Sequence, residues 1–139
     1  MYNTRTIAIP IARPADEVFN FLVEPLNFLK WAFVGHAAMR HLGGTAWEVE
    51  TSVGRRVLRL AKANPYGILD HSSALGDDDP APMPIGMRIM PNEDGAVLVH
   101  TFFQRPGTTD KEWESLIEWV TTDLMTLKTL LESRTEAGL

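Results

Sequence analysis

Apolar residues recur at helical spacing through the last part of the chain. They follow a period of ~3.6 residues over about five turns, at Trp113, Leu116, Ile117, Val120, Leu124, Leu127 and Leu131. Thr109 and Glu112 have the spacing of a capping box, with Thr109 as the N-cap. The pattern predicts a helix from about 110 to 133, roughly 36 Å long at ~1.5 Å per residue. A helix this long with one continuous apolar stripe needs a broad apolar partner.

The rest of the chain is dominated by strand patterns. Ile7, Ile9 and Ile11 alternate on one face of a first strand. Pro10 cannot donate a hydrogen bond to a neighbouring strand, so this strand is expected at a sheet edge or with a bulge. Further strands are predicted at about 37–42, 46–52, 54–63, 66–74, 83–91 and 95–104. Turn sequences separate them, among them Asp94-Gly95, which suits a tight hairpin.

Two short helices are predicted between the first and second strands. Pro14 suits the first turn of a helix, and Asp16 and Glu17 then lie near the positive end of its dipole. The second helix is expected to follow Glu24-Pro25 and to extend towards Trp31.

Taken together, these elements predict an α+β fold. The sheet is the one candidate partner for the apolar stripe of the long helix. We therefore expect a curved antiparallel sheet of about seven strands, wrapped around the C-terminal helix, in a single domain over 1–139.

Composition excludes several classes of function. The 139 residues are 45% hydrophobic and 22% charged, with a net charge of −5 and no cysteine. The acidic balance opposes a nucleic-acid partner, which needs a basic face for phosphates. Disulfides, thiolate nucleophiles and cysteine-ligated metals are excluded. No stretch reaches the ~20 apolar residues of a membrane span, and no secretory signal is evident. We expect a soluble cytoplasmic protein.

The opening of the chain carries a family resemblance. The segment 7–19, IAIPIARPADEVF, resembles the start of the START-related helix-grip superfamily (SRPBCC), where an acidic first turn and an apolar pair follow strand one. The segment 24–31, EPLNFLKW, is similar to the second short helix of that family, which commonly ends in tryptophan. The order of elements matches over essentially the whole chain, and the polyketide cyclase/dehydrase-like branch is the most similar.

This resemblance implies a cavity between the sheet and the long helix that holds apolar molecules. Our leading hypothesis is a protein that binds a small, largely apolar ligand. The first alternative is a cyclase or dehydratase acting on an aromatic or polyketide-like substrate. The second is an interaction module resembling co-chaperone activators or toxin-partner proteins, and a homodimer is left open. The fold alone does not distinguish among these three functions, which depend on the side chains of the site.

Histidines are the candidate acid–base groups. His71 and His41 share strand alternation with apolar neighbours and are the two catalytic candidates. His100 lies in a strand whose two faces are equally apolar, so its direction is left open. His36 is expected in a connection. Neither a metal motif nor a phosphate or dinucleotide motif is present, so no metal and no cofactor are predicted.

Large adaptable side chains supply the candidate ligand contacts. Methionine and tryptophan fill irregular space and tolerate varied partners. The predicted ligand-binding residues are Trp31, Met39, Trp47, His71, Met87, Trp113, Ile117 and Val120. Trp113 and Ile117 are included because the cavity of the family lies beneath the long helix.

Overall fold

The computed structural model describes residues 1–32, 37–51, 54–76 and 78–134. The strands are β1 (Thr4–Ile11), β2 (Ala37–Gly43), β3 (Ala46–Thr51), β4 (Gly54–Arg59), β5 (His71–Ala74), β6 (Met83–Asn92) and β7 (Gly95–Phe103). Two α-helices, α1 (Ala15–Val23) and α2 (Asp110–Glu132), and a 3₁₀ helix, η1 (Pro25–Lys30), complete the elements. His36 lies outside the described residues.

The strands form one curved antiparallel sheet in the order β1-β7-β6-β5-β4-β3-β2. Strand β1 lies at an edge of the sheet. The missing backbone N–H of Pro10 therefore costs no hydrogen bond on the open side of the strand. The predicted α+β class, with a seven-stranded sheet, two short helices after strand one and a long C-terminal helix, is confirmed.

Helix α2 begins as its sequence predicts. The Thr109 hydroxyl accepts a hydrogen bond from the Glu112 backbone N–H at 3.1 Å, and the Glu112 carboxylate accepts one from the Thr109 N–H at 3.3 Å. Along the stripe, Leu124 is 1% exposed and packs in one core with Ile11 and Leu98. Leu116 was predicted on the stripe, but it is 41% exposed. The buried stripe is therefore narrower than the sequence pattern predicts.

The face of the sheet turned toward α2 is called the inner face. Residues directly opposite in register share a face, so Ile9, Leu98 and Ile89 form one inner row, and Ile7, His100 and Met87 form the next. The same face continues through the row of Trp47, Leu58 and Ser73 toward the other edge. Helix α2 packs over the β1, β7 and β6 side of this face.

The connection between β4 and β5 is longer than predicted. Strand β4 ends at Arg59 instead of 63, and β5 begins at His71 instead of 66. The Asn64 side-chain oxygen accepts hydrogen bonds from the backbone N–H groups of Tyr66 and Ile68, which fixes a turn. Gly67 follows at φ +70°, where a Cβ would lie 2.2 Å from the Ile89 carbonyl oxygen. Residues 67–69 still bond to β6, since the Leu69 N–H donates to the Met87 carbonyl oxygen and the Ile89 N–H to that of Gly67, but regular strand pairing begins only at His71.

Candidate functional site

A pocket lies where the end of α1 and η1 meet the inner face of the sheet. Its volume is about 30 Å³, room for roughly two water molecules, since each needs ~10–15 Å³ of cavity. The lining residues come from the two helices, from the β4–β5 connection and from β5 and β6: Leu22, Val23, Pro25, Phe28, Trp31, Leu60, Ala61, Leu69, His71 and Met87. The wall is therefore largely apolar, and among the described residues that line it His71 is the one ionisable side chain.

The outer wall of the pocket is η1, and polar bonds at its start position it. The Glu24 carboxylate accepts from the Leu26 N–H at 3.2 Å, and the Asn27 side-chain amide donates to the Phe21 carbonyl oxygen at 3.0 Å. The rings of Phe28 and Trp31 meet edge to face, 5.5 Å apart. None of the six residues of η1 is fully buried, so this wall is attached less firmly than the sheet behind it.

His71 provides the polar atom of the pocket. Its Nδ1 lies 2.9 Å from the carbonyl oxygen of Leu69. Burial lowers the pKa of the His71 imidazole, while the bond to Leu69 and the charge of Asp70 oppose the shift. As adjacent strand positions require, Asp70 points away from the inner face: its carboxylate binds Arg88 at 2.8 Å and accepts from the Met87 N–H.

A second imidazole lies deeper in the same region. His100 is 8% exposed and stands directly opposite Met87 in the sheet. Its Nδ1 is buried and has no hydrogen-bond partner among the described residues. Burial lowers the pKa of His100 to about 4, and the nearby His71 adds to the shift. Its ring meets the edge of Phe102 at 5.4 Å.

Solved structures share this arrangement over nearly the whole chain. The Aha1 dimer from Colwellia psychrerythraea matches with a TM-score of 0.73 at 18% identity, over 94% of this chain and 97% of that one. Ara h 8.0201 matches at 0.72 and 10% identity, over 96% and 100%. DynU16, from the dynemicin biosynthetic locus, matches at 0.70 and 18% identity, over 94% of this chain but 47% of its own. No protein-family model matches, and no curated protein does.

This chain has the helix-grip fold. The neighbours are all below 20% identical, so they show the fold and leave the activity open. The resemblance to START-related, polyketide cyclase-like proteins is thus confirmed at the level of fold.

Within the helix-grip fold, the predicted ligand-binding residues fall into separate places. Trp31, His71 and Met87 line the pocket. Trp113 and Ile117 instead pack against Phe102 in a second buried cluster. Val120 is half-buried against both clusters. The pocket was expected beneath α2, yet none of the described residues that line it belongs to α2.

The remaining candidates lie on β2 and β3, at the far side of the sheet. Met39 is opposite Val49 and half-buried, and the exposed His41 ring stacks on Trp47 with centroids 4.5 Å apart. The His41 Nε2 lies 2.8 Å from the carbonyl oxygen of Gly44. Met39, His41 and Trp47 share the inner face but are not among the described residues that line the pocket. His41 therefore does not share a pocket with His71.

His100 stands opposite the pocket residue Met87 in the sheet, and the sequence did not predict the direction of its side chain. The alternation of β7 is apolar on both faces, so the pattern gave no direction for its side chain. The register with Ile7 on one side and Met87 on the other turns it inward. Only the pairing of three strands, which is non-local, carries this information.

Within residues 1–32, 37–51, 54–76 and 78–134, no group of three or more histidine or acidic side chains is placed to hold a metal ion. None of the helices described there is long and apolar enough to cross a membrane.

Proposed function

We propose that this protein binds a small, largely apolar molecule in the pocket between α1, η1 and the inner face of the sheet. The observation that carries the proposal is the composition of the wall: aliphatic and aromatic side chains with one inward imidazole, His71. Such a wall is typical of small-molecule sites, in which few polar groups orient an apolar ligand.

Binding requires the pocket to widen. A space of about 30 Å³ is far below the ~300–1,000 Å³ of sites for drug-sized ligands. Two parts of the wall can give way. Helix η1 buries no side chain fully, and 3₁₀ hydrogen bonds have poorer geometry than those of an α-helix. Met87 has an unbranched side chain that changes shape at low cost. We infer that the ligand enters beside η1 and displaces Phe28 outward.

The structural neighbours support this class of function. DynU16 comes from a biosynthetic locus, a setting in which small organic molecules are handled. At such low identity this supports the proposal only through the shared fold.

A neutral fluorescent probe tests the proposal. N-phenyl-1-naphthylamine should gain fluorescence on binding, and Ala61→Trp, which places an indole in the pocket wall, should weaken binding at least about tenfold, the loss equivalent to ~1.4 kcal/mol. Ala63→Trp is the matched control, because Ala63 is exposed two residues further on. Ile117→Trp reports on the alternative location beneath α2. If Ile117→Trp weakens binding and Ala61→Trp does not, the probe binds beneath α2, which would contradict the proposed pocket.

The natural ligand can be sought directly. Native mass spectrometry of protein purified from its own host should show a co-purifying small molecule, and Ala61→Trp should lose it. Retention of the same molecule by Ala61→Trp would contradict the assigned pocket.

The enzymatic alternative uses the same pocket, and one observation favours it. His71 presents a neutral imidazole edge to an apolar space, as a general base does. A cyclase or dehydratase would need the substrate proton within hydrogen-bond reach of that ring. Turnover of a polyketide-like substrate that is lost in His71→Phe, while probe binding is retained, would establish it.

A further inference from the structure

The hydrogen bond of His71 determines which of its ring nitrogens faces a ligand. The Leu69 carbonyl oxygen, 2.9 Å from Nδ1, can only accept, so Nδ1 carries the proton. In a neutral imidazole the other nitrogen is then a bare acceptor. Among the described residues nothing donates to Nε2 of His71. The pocket therefore offers a ligand an acceptor, and not a donor, at this position.

Neither imidazole is suited to bind an anionic ligand. Burial lowers the pKa of both His71 and His100, and the nearby His71 lowers the pKa of His100 further. Near neutral pH both rings are uncharged. A carboxylate ligand would find no cation among the ten residues that line the pocket.

His100 supplies a second polar group behind the wall. Its Nδ1 is buried without a partner, and a buried polar atom in that state is unusual in folded proteins. Met87 both lines the pocket and stands directly opposite His100 in the sheet. A rearrangement of the Met87 side chain would extend the pocket toward the unpartnered nitrogen.

We propose that the pocket selects uncharged, hydroxylated apolar molecules, such as phenols and hydroxylated polycyclic compounds, whose hydroxyl donates to Nε2 of His71. His100 forms a second hydrogen bond, and only with a ligand long enough to displace the Met87 side chain. This inference rests on the proposed binding function and adds to it the chemical class of the ligand.

Three probes of one ring system test the selectivity: 2-naphthol, 2-methylnaphthalene and 2-naphthoate. With the native protein, 2-naphthol should bind roughly fivefold or more tightly than 2-methylnaphthalene, the ratio expected for one hydrogen bond. The carboxylate should bind weakest of the three. In His71→Phe the preference for naphthol should fall to about one, while 2-methylnaphthalene binds as before. A preference that survives His71→Phe, or tightest binding of 2-naphthoate, overturns the proposal.

A spectroscopic measurement on the native protein avoids any folding defect of the variant. Nitrogen-15 NMR should show Nδ1 of His71 protonated and Nε2 unprotonated. Addition of 2-naphthol should shift the Nε2 resonance, and 2-methylnaphthalene should leave it nearly unchanged. A proton on Nε2 in the free protein would overturn the inferred acceptor.

The contribution of His100 is tested in a widened pocket. Met87→Ala should raise the preference for 2,6-dihydroxynaphthalene over 2-naphthol, because the second hydroxyl can reach His100, and His100→Phe in that background should reverse the rise. If the rise persists without the His100 imidazole, that residue has no part in recognition.

These outcomes separate the two proposals. If none of the three probes binds, both the binding function and the selectivity fail. If 2-methylnaphthalene binds, is weakened by Ala61→Trp and equals 2-naphthol, the binding function stands and the inferred ligand class is wrong.

Discussion

The two halves of the inner face differ in what covers them. Strands β1, β7 and β6 lie under α2, where Leu98 and Leu127 are both fully buried. Strands β2 to β5, called the wing, present Trp47, Arg56 and His71, which are only half-buried. Both halves belong to one continuous sheet with one alternation. The difference lies in the partner that covers each half.

The wing is held from its opposite face by charged groups. Glu48 accepts from Arg55 at 2.6 Å and from Arg40 at 3.2 Å, which ties β2, β3 and β4 together on the side away from α2. The pKa of Glu48 is lowered, chiefly by the bond to Arg55. The inner face of the wing carries both apolar and polar side chains: Val49 and Leu58 are buried, whereas Arg56 and His71 are half-buried. The helix-covered half contains the side chains that pack against α2, and the pocket lies where this half meets the wing.

The largest expected effect is in the covered half. Leu124→Ala should reduce the free energy of unfolding by about 2–5 kcal/mol, because the side chain is almost completely buried and its removal leaves a cavity. Denaturant melts with a linear extrapolation measure the change.

Leu116→Ala is the matched control on the same helix. Leu116 is 41% exposed, so its truncation should cost less than ~0.5 kcal/mol, as surface changes do. Equal losses from both leucines would mean that α2 is rotated relative to the sheet and that the contrast between the two halves is wrong.

The next effect is the pH dependence of stability, and it tests the boundary between the halves. His100 is neutral in the folded protein down to about pH 4, whereas in the unfolded chain it titrates near ~6.5. Because the folded pKa is the lower, His100 has no effect on stability above pH 6.5. Stability then falls as pH drops through the window from 6.5 toward 4, as the unfolded state binds the proton. At pH 4.5 the loss should be on the order of 2–3 kcal/mol.

Melts of the native protein and of His100→Phe between pH 7 and 4.5 measure this effect. The variant should lose most of the slope, and what remains should be due to His71, whose pKa is lowered as well. His41→Phe is the control, since His41 is exposed and the slope should persist without it. The carboxylates with lowered pKa values, such as Glu48 and Glu132, lose their contribution at still lower pH. An unchanged slope in His100→Phe would show that His100 takes up its proton in the folded state.

The fold was predictable because its strongest signals are local. The stripe from Trp113 to Leu131 fixes a helix, and the capping box fixes where it begins. Ile7, Ile9 and Ile11 give the inner face of β1 by simple alternation. The predicted bounds of β4 and β5 differ from the structure in the connection between them. There the Asn64 side chain accepts backbone hydrogen bonds, and Gly67 lies close to the Ile89 backbone.

The site was less predictable because its geometry depends on non-local pairing. Trp31, His71 and Met87 were assigned from residue type and alternation, and the structure brings them to one pocket. The location beneath α2 came from the family resemblance alone. Trp113 and Ile117 pack there with Phe102, and their contact with a ligand stays a prediction. His100 needed the register of β1, β7 and β6, which no local pattern contains.

The smallest expected effect concerns the first turn of α2, next to the Trp113 cluster. Thr109→Ala removes the hydroxyl that accepts from the Glu112 N–H at 3.1 Å, so the free energy of unfolding should fall by about 1 kcal/mol. Thr109→Ser keeps the acceptor and should stay within a few tenths of the native value. Denaturant melts of both variants measure the difference. Equal losses would assign the effect to the threonine methyl group rather than to the cap. Binding of N-phenyl-1-naphthylamine should be unchanged in both, because the pocket lies at η1 and not under this end of α2.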